Sequence, residues 1–165
     1  MERDKKMMNY QNYAMGKWVS GDGEGTPLFN AITGTEIGQA GSEGLDFGQM
    51  MDYSRKVGSP VLRKMTFQQR GLMLKALALH LHGIKGKFYE LSAATGATKI
   101  DSWIDIEGGI GNLFANASLR KQFPDLPYYV DGEAAKLSKE GTFIGHHIMV
   151  PKEGVAIHIL SLIHI

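Results

Sequence analysis

Four of the six histidines are natural candidates for holding a metal ion. His80 and His82 are two residues apart, and His146 and His147 are adjacent. Two ligands on a helix share a face only when they are separated by three or four residues. These spacings predict histidines with structural roles, and we expect no metal site.

Three acidic residues could form a carboxylate site. Asp101 and Asp105 would share one face of a helix, with Glu107 close by. The alternative is that the three carboxylates cap a helix and interact favourably with the partial positive charge at its N-terminus. The sequence favours this second role.

Two glycine-rich segments, residues 21–25 and 108–111, invite comparison with phosphate-binding loops. Neither follows a strand and opens a helix with the full spacing, and neither ends in Gly-Lys-Ser/Thr. The sequence has no Gly-x-Ser-x-Gly elbow, and its lack of cysteine excludes a cysteine nucleophile or thiolate metal site in this chain. From the residues alone, we therefore assign no catalytic, cofactor-binding or metal site.

The charge balance argues against two classes of partner. The 165 residues carry 18 basic and 17 acidic side chains, interspersed, for a net charge of +1. Such a chain offers no basic patch to nucleic acid or to an anionic membrane. The charged start is followed by no apolar segment typical of a signal peptide, and no apolar run reaches the roughly 18 residues of a membrane span. We expect a cytoplasmic protein.

The elements that would position any site begin with strands. Residues 10–40 alternate short apolar stretches with turn residues and predict two small hairpins. Further along, residues 142–150 and 155–159 predict a C-terminal strand pair around a turn. Because the second of these strands is almost wholly apolar, we expect both of its faces to be covered.

Helices are predicted between the two groups of strands. Asp46 with Gln49, Thr66 with Gln69, and Thr98 with Asp101 resemble capping boxes and mark three helix starts. The apolar run 72–81 predicts a helix that ends before Gly83, and residues 85–95 predict a second helix. Residues 98–117 predict the longest helix. Gly108, Gly109 and Gly111 in this last helix suggest close packing or a kink.

The order of motifs resembles the aldehyde dehydrogenase family. Residues 13–19 resemble its first short strand, and residues 30–37 its "N-P-x-T-G-x" motif, with Ala31 in place of proline. Residues 65–74 resemble the "R-x-x-x-L" helix, and residues 91–98 the "E-T-G-K-P" stretch with its lysine replaced. This resemblance implies the start of an aldehyde dehydrogenase fold.

A narrower resemblance concerns the ring-opening dehydrogenases of phenylacetate degradation, in which an aldehyde dehydrogenase is fused to a hydratase-like domain. Residues 97–111, 137–141 and 154–159 are similar to this group, and the whole resemblance covers about residues 10–159. It implies oxidation of a CoA-linked semialdehyde with NADP, by a thiolate nucleophile and a glutamate that activates water. The hydratase-like domain would open oxepin-CoA to supply the aldehyde, and the full-length enzyme would be a homo-oligomer.

The same resemblance places the functional residues beyond this sequence. In the family, the segment matching residues 154–159 leads straight into an "N-F-P" motif that carries the oxyanion asparagine, and the cysteine, the glutamate and the cofactor lysine would also lie downstream. Ile159 matches a position whose backbone lies near the adenosine in the family, but without the rest of the dinucleotide fold we expect it to hold no cofactor. We therefore expect the 165 residues by themselves to be inactive.

The predicted architecture is an α+β fragment of an α/β aldehyde dehydrogenase fold, with hairpin arms, three or four packed helices, a C-terminal strand pair and most of the Rossmann sheet missing. Residues 1–9 would be a disordered tail and residues 10–159 the N-terminal part of the dehydrogenase domain. Residues 160–165 match nothing in the family and resemble a translated transposon-end adapter, so we expect them to be non-native.

Two other functions remain open at this stage. The chain could be a stand-alone, non-enzymatic interaction module derived from a dehydrogenase. It could also come from a dehydrogenase that acts on another aldehyde, since the substrate pocket lies mainly downstream.

Overall fold

The computed structural model describes residues 8–158 and shows an α+β architecture, as predicted. Two N-terminal hairpins are followed by helices and then by a third strand pair. In chain order the elements are β1 (Met8–Tyr10), β2 (Asn12–Ala14), β3 (Lys17–Val19), β4 (Thr26–Phe29), β5 (Glu36–Ala40), α1 (Phe47–Tyr53), α2 (Ser59–Lys64), α3 (Phe67–Ala94), α4 (Lys99–Ser118), β6 (Tyr129–Lys136) and β7 (Ile144–Met149).

The two predicted N-terminal hairpins are present. Strands β2 and β3 pair antiparallel around the turn Met15-Gly16, and Tyr13 meets Trp18 across the hairpin with ring centroids 5.1 Å apart. Strands β4 and β5 also pair antiparallel, and β1 adds to the free side of β5 in parallel. The segment predicted as a disordered tail therefore overlaps β1 at residues 8 and 9, while its first seven residues lie outside the described range.

The first helical region is divided by a π turn. The Asp46 carboxylate caps α1 by accepting the backbone N–H of Gln49 at 2.9 Å, as its spacing predicts. The chain then passes through a π turn, Ser54–Gly58, directly into α2, in which Pro60 stands in the first turn. Proline is favoured there because the first N–H groups of a helix have no partner inside it.

Helix α3 is one continuous helix of 28 residues. Its start is the predicted capping box, in which Thr66 and Gln69 exchange hydrogen bonds of 3.0 and 3.2 Å. The prediction of a break near Gly83 was wrong. A glycine inside a helix costs only about 1 kcal/mol, which is too little to interrupt a helix that packs along α4 for most of its length.

Helix α4 returns antiparallel to α3. It starts at the predicted Thr98–Asp101 capping box and ends in a 3₁₀ turn, Leu119–Gln122. The two helices approach closely because most of the side chains buried between them are small. The buried residues of this helix pair are Gly71, Ala78, Ser102, Ile110 and Ala117.

The close packing predicted for the α4 glycines is not observed. Gly108, Gly109 and Gly111 are all exposed, and a Cβ atom built at any of them meets nothing within 4 Å. Among residues 8–158, no other element therefore packs against α4 at these three positions.

The C-terminal strand pair differs from the predicted one. Strand β7 lies within the predicted residues 142–150, but its antiparallel partner is β6, which the sequence pattern did not predict. The strand predicted at residues 155–159 was wrong for residues 155–158, which are irregular, and Ile159 lies outside the described range. Since a strand is defined by backbone pairing, an apolar run without a neighbouring strand does not form one.

The described residues bury few large side chains. The buried hydrophobic residues are Ala14, Ala78, Ile110 and Ala117, three of which are alanines. Many large apolar side chains are exposed, including Leu72 at 53% and Trp103 at 58%. In this part of the chain no helix is long and apolar enough to cross a membrane.

Candidate functional site

A polar cluster lies where the C-terminal part of α3 faces the first half of α4. An open cleft of ≈ 470 Å³ is lined by Tyr89, Ala93, Ala97, Lys99 and Ser102. A smaller cleft of ≈ 230 Å³ adjoins it and shares Tyr89 and Lys99. Both walls are mainly apolar, with an ammonium group and hydroxyls at their edges.

Two side chains of α3 converge on one carboxylate of α4. Lys85 Nζ donates a hydrogen bond to Glu107 Oε1 at 2.6 Å, and Tyr89 Oη donates to the same oxygen at 3.3 Å. The side chains of Lys85 and Glu107 are 33% and 25% exposed, so the ion pair is partly shielded from water. The ion pair joins the two helices through Lys85 and Glu107, which are 22 residues apart in the sequence.

The cluster shifts the pKa of two of its members in opposite directions. The hydrogen bond from Lys85 lowers the pKa of Glu107, against a smaller raising effect of partial burial, and His82 lies near enough to lower it further. Partial burial, and then the Glu107 charge, raise the pKa of Tyr89. At neutral pH, Glu107 is therefore a carboxylate and Tyr89 a protonated donor.

A pair of serines continues the cluster towards the helix ends. The hydroxyl groups of Ser92 and Ser102 are 2.8 Å apart and hydrogen-bonded to each other. A serine nucleophile needs a base within hydrogen-bonding reach, and within residues 8–158 the Ser92 and Ser102 hydroxyls bond only each other. The Ser92–Ser102 hydrogen bond therefore has a structural role, which is to hold α3 and α4 in register.

The three acidic residues considered from the sequence do not come together. Asp101 caps α4, as predicted, with its carboxylate 2.6 Å from Thr98 Oγ1, and Asp105 is exposed. The capping role predicted for Glu107 was wrong, because it lies beyond the first turn of α4 and pairs with Lys85 instead.

The histidines are dispersed. His80 and His82 are exposed on α3, and His147 is exposed on β7. His146 Nε2 lies 3.1 Å from the carbonyl oxygen of Gly132, and this contact connects β7 to β6. No group of three metal-ligating side chains occurs in residues 8–158.

The glycines of residues 21–25 serve close backbone packing. A Cβ atom at Gly21 would lie 2.6 Å from the carbonyl oxygen of Gly41, and one at Gly25 would lie 2.9 Å from that of Ala40. Only glycine permits such an approach of two chain segments. The structure thus accounts for two of these glycines without a phosphate.

Sequence reasoning named Glu107 as a candidate but missed its partners on α3. Lys85, Tyr89 and Ser92 fall at spacings of three or four on one face of α3, which is a recognisable signal for a polar stripe. Their partners on α4 could not be identified, because the sequence of neither helix specifies how the two helices align when they pack. Ile159, the position matched to the adenosine contact, lies outside the described residues.

Comparison with known proteins relates the chain to a dehydrogenase. No family model matches the chain. The chain is similar to a protein named 3,4-dehydroadipyl-CoA semialdehyde dehydrogenase from Aromatoleum evansii, with 29% identity over 153 residues. The aligned region covers 92% of this chain and 30% of the relative, so the chain spans about a third of that protein's length. This supports the resemblance to dehydrogenases but not the narrower one to the fused ring-opening enzymes.

Proposed function

We propose that the chain is the N-terminal scaffold of a dehydrogenase that oxidises a CoA-linked semialdehyde with NADP in phenylacetate breakdown. The observation that carries this proposal is the similarity along 92% of the chain to a protein named as a CoA-semialdehyde dehydrogenase. The order of the motifs in residues 10–159 supports the same assignment.

The chemistry of such an oxidation requires groups that this chain does not have. A thiolate must attack the aldehyde carbon before hydride can leave to a nicotinamide, and the chain contains no cysteine. The 165 residues are therefore expected to catalyse no oxidation by themselves. Their role in the full-length enzyme is to support the fold.

The described residues do not fit NADP. Dinucleotide sites lie at the carboxyl ends of parallel strands that are linked by helices. The parallel pair in residues 8–158, β1 with β5, spans three residue pairs, and strands rather than a helix connect it. NADP binding is thus assigned to the rest of the proposed enzyme, and no catalytic step is derived for these residues.

The surface of α3 and α4 supports a scaffold that other polypeptide covers. Large apolar side chains are exposed on both helices, and the buried residues between them are small except for Ile110. Burying exposed apolar area gains roughly 25 cal/mol per Å², so such a surface gains stability from a covering domain.

The test is to recover the native gene sequence that follows the codon for residue 159 and to express the longer protein. In the family that the chain resembles, the segment matching residues 154–159 leads straight into Asn-Phe-Pro, so we expect that motif directly after residue 159 and a cysteine further on. The purified longer protein should reduce NADP with 3,4-dehydroadipyl-CoA semialdehyde, whereas the 165-residue chain should not. The same aldehyde without CoA serves as the control for substrate class.

Three results would contradict the proposal. A longer reading frame without a cysteine would remove the nucleophile. NADP reduction by the 165-residue chain would show that its own residues suffice. Equal rates with the CoA-linked and the free aldehyde would favour a dehydrogenase for another substrate. Separately from these three results, the absence of a hydratase-like domain would exclude the narrower resemblance to the fused enzyme while leaving the proposed dehydrogenase in place.

A further inference from the structure

Two aspartates of the chain are followed by glycine, at Asp22–Gly23 and at Asp131–Gly132. The backbone nitrogen of the next residue can attack the carboxyl carbon of an aspartate, and glycine hinders this attack least because it has no Cβ atom. Both dipeptides are exposed and both are followed by glutamate, so their intrinsic reactivity is closely matched. A difference between them in the folded chain therefore comes from the structure.

The first dipeptide lies in a bend between β3 and β4, outside any strand. The Asp22 N–H donates to the carbonyl oxygen of Glu43 at 2.8 Å, and the Asp22 carboxylate lies beside Gly44, whose lack of a Cβ atom leaves it room. Among residues 8–158, no hydrogen bond holds this carboxylate or the Gly23 N–H. The two reacting groups can therefore approach each other without giving up a hydrogen bond of their own.

The second dipeptide is more restrained. Asp131 pairs with His147 in the ladder of β6 and β7, and the carbonyl oxygen of Gly132 lies 3.1 Å from His146 Nε2. Rotation about the Asp131 Cα–C bond would turn the peptide group that joins the two residues and disturb both contacts. Attack at this site therefore requires the strand pair to open locally first.

We infer that Asp22 is the aspartate at which the folded chain isomerises to isoaspartate. The Gly23 nitrogen bonds to Asp22 Cγ, the hydroxyl of the protonated carboxyl group leaves with the amide proton as water, and a cyclic imide forms. Water then adds to the imide. Opening between the nitrogen and Cγ restores aspartate, whereas opening between the nitrogen and the backbone carbonyl carbon leaves the main chain running through Cγ. The inference does not depend on the proposed dehydrogenase function.

The product would alter a closely packed contact. Gly21 and Gly25 lie so near residues 40–41 that a Cβ atom built at them would be 2.6 and 2.9 Å from a carbonyl oxygen. Isoaspartate at Asp22 adds a methylene group to the main chain between these two contacts. We expect the modification to loosen the attachment of residues 20–25 to their neighbouring segment.

Ageing the 165-residue chain at neutral pH tests the inference. Isoaspartate has the same mass as aspartate, so the aged chain is digested, the two forms are separated by chromatography, and the site is located by electron-transfer fragmentation. We expect isoaspartate at Asp22 to exceed that at Asp131 about fivefold, because a hydrogen bond must first open at the second site. A sample aged in guanidinium chloride is the reference, in which both sites should react at nearly equal rates.

Asp22→Glu is the matched control, because it keeps the charge and Gly23 but must close a larger ring that forms more slowly. It should lose the product at position 22 and leave that at Asp131 unchanged. Hydrogen exchange measured by mass spectrometry should become faster in residues 20–25 and 40–44 of the aged wild-type chain. Aged Asp22→Glu should keep the exchange rates of its own fresh sample.

Four results would overturn the inference. Equal amounts of isoaspartate at the two sites of the folded chain would show that the structure does not select Asp22. A larger amount at Asp131 would place the reactive site in β6. Reaction at both sites in guanidinium chloride but at neither in the folded chain would show that the fold protects Asp22 as well. Isoaspartate at Asp22 with unchanged hydrogen exchange would refute the loosening of the contact.

Discussion

At the scale of single residues, the turn of the first hairpin contains a methionine in an unfavourable conformation. Met15 has φ of +51° and is followed by Gly16 at +82°. Two such residues define a hairpin turn that favours Asn-Gly. Met15→Asn should therefore raise the free energy of unfolding by about 1 kcal/mol, measured by urea denaturation.

The neighbouring position provides the control. Gly16→Ala should lower stability, because its φ is positive and a Cβ atom there would lie 2.8 Å from Tyr53 Oη. Equal stability of Met15→Asn and wild type would show that the turn does not hold this conformation in solution.

The pKa of Glu107 predicts how stability depends on pH. Lys85 lowers this pKa in the folded chain, relative to the ordinary value of 4.5 expected when it is unfolded. The stabilisation is then fully present above about pH 4.5 and is lost as pH falls through the folded pKa. Glu107→Gln should destabilise the chain at pH 7 and flatten the acid limb of a stability–pH curve measured by urea unfolding.

Asp105→Asn is the matched variant for this measurement, because Asp105 is exposed on the same helix. It should keep the acid limb of the wild type. An unchanged acid limb in Glu107→Gln would mean that the Lys85–Glu107 ion pair contributes nothing in solution.

Residues whose roles are local could be predicted from the sequence, whereas residues that meet across elements could not. Thr66 and Thr98 cap their helices through groups three residues away, so the motif contains both partners. Glu107 lies 22 residues from Lys85, and its pairing depends on how α3 and α4 pack. Gln68 likewise donates to the carbonyl oxygens of Arg120 and Phe123, which lie 52 and 55 residues further along the chain.

At the scale of elements, helix starts were easier to predict than helix continuity. The break expected at Gly83 did not occur, because tertiary packing outweighs a single weak helix former. Strand β6 was missed since Glu133, Ala134 and Ala135 are typical of helices. It forms by pairing with β7, through an irregular register around Gly132, whose φ is +69°.

Two glycines of α3 should respond to alanine with opposite signs. Gly71 is buried, and a Cβ atom there would lie 2.7 Å from Arg120 Cβ and 2.9 Å from the carbonyl oxygen of Ala117. Gly71→Ala should therefore destabilise the chain by about 1–3 kcal/mol through overpacking. At Gly83 the space is open, so Gly83→Ala should stabilise it by about 1 kcal/mol.

Urea unfolding of both variants, followed by circular dichroism at 222 nm, gives the comparison. Because both substitutions raise helix propensity equally, their difference isolates the contact between α3 and the end of α4. Stabilisation by Gly71→Ala would mean that α3 and α4 are further apart than described.

At the scale of the whole molecule, the balance of buried and exposed surface is unusual for a chain of this length. The residues buried between α3 and α4 are small except for Ile110, while large apolar side chains such as Leu79, Trp103 and Ile104 remain exposed. The α+β class could be predicted from the periodicity of the sequence. The small number of large buried side chains could not be predicted, because an apolar pattern predicts burial without specifying which element covers the residues.

This surface predicts marginal stability and self-association for the 165-residue chain. Exposed apolar patches beyond a few hundred Å² favour association, and a thin core supplies little cooperativity. We expect a broad thermal transition by circular dichroism and binding of a hydrophobic dye before unfolding. Replacing Leu79 and Ile104 with glutamine should reduce dye binding and association without lowering the transition temperature, since neither side chain is buried. A sharp cooperative melt of a soluble, dye-free monomer would refute this expectation and show that the helix pair and its hairpins form a self-sufficient domain.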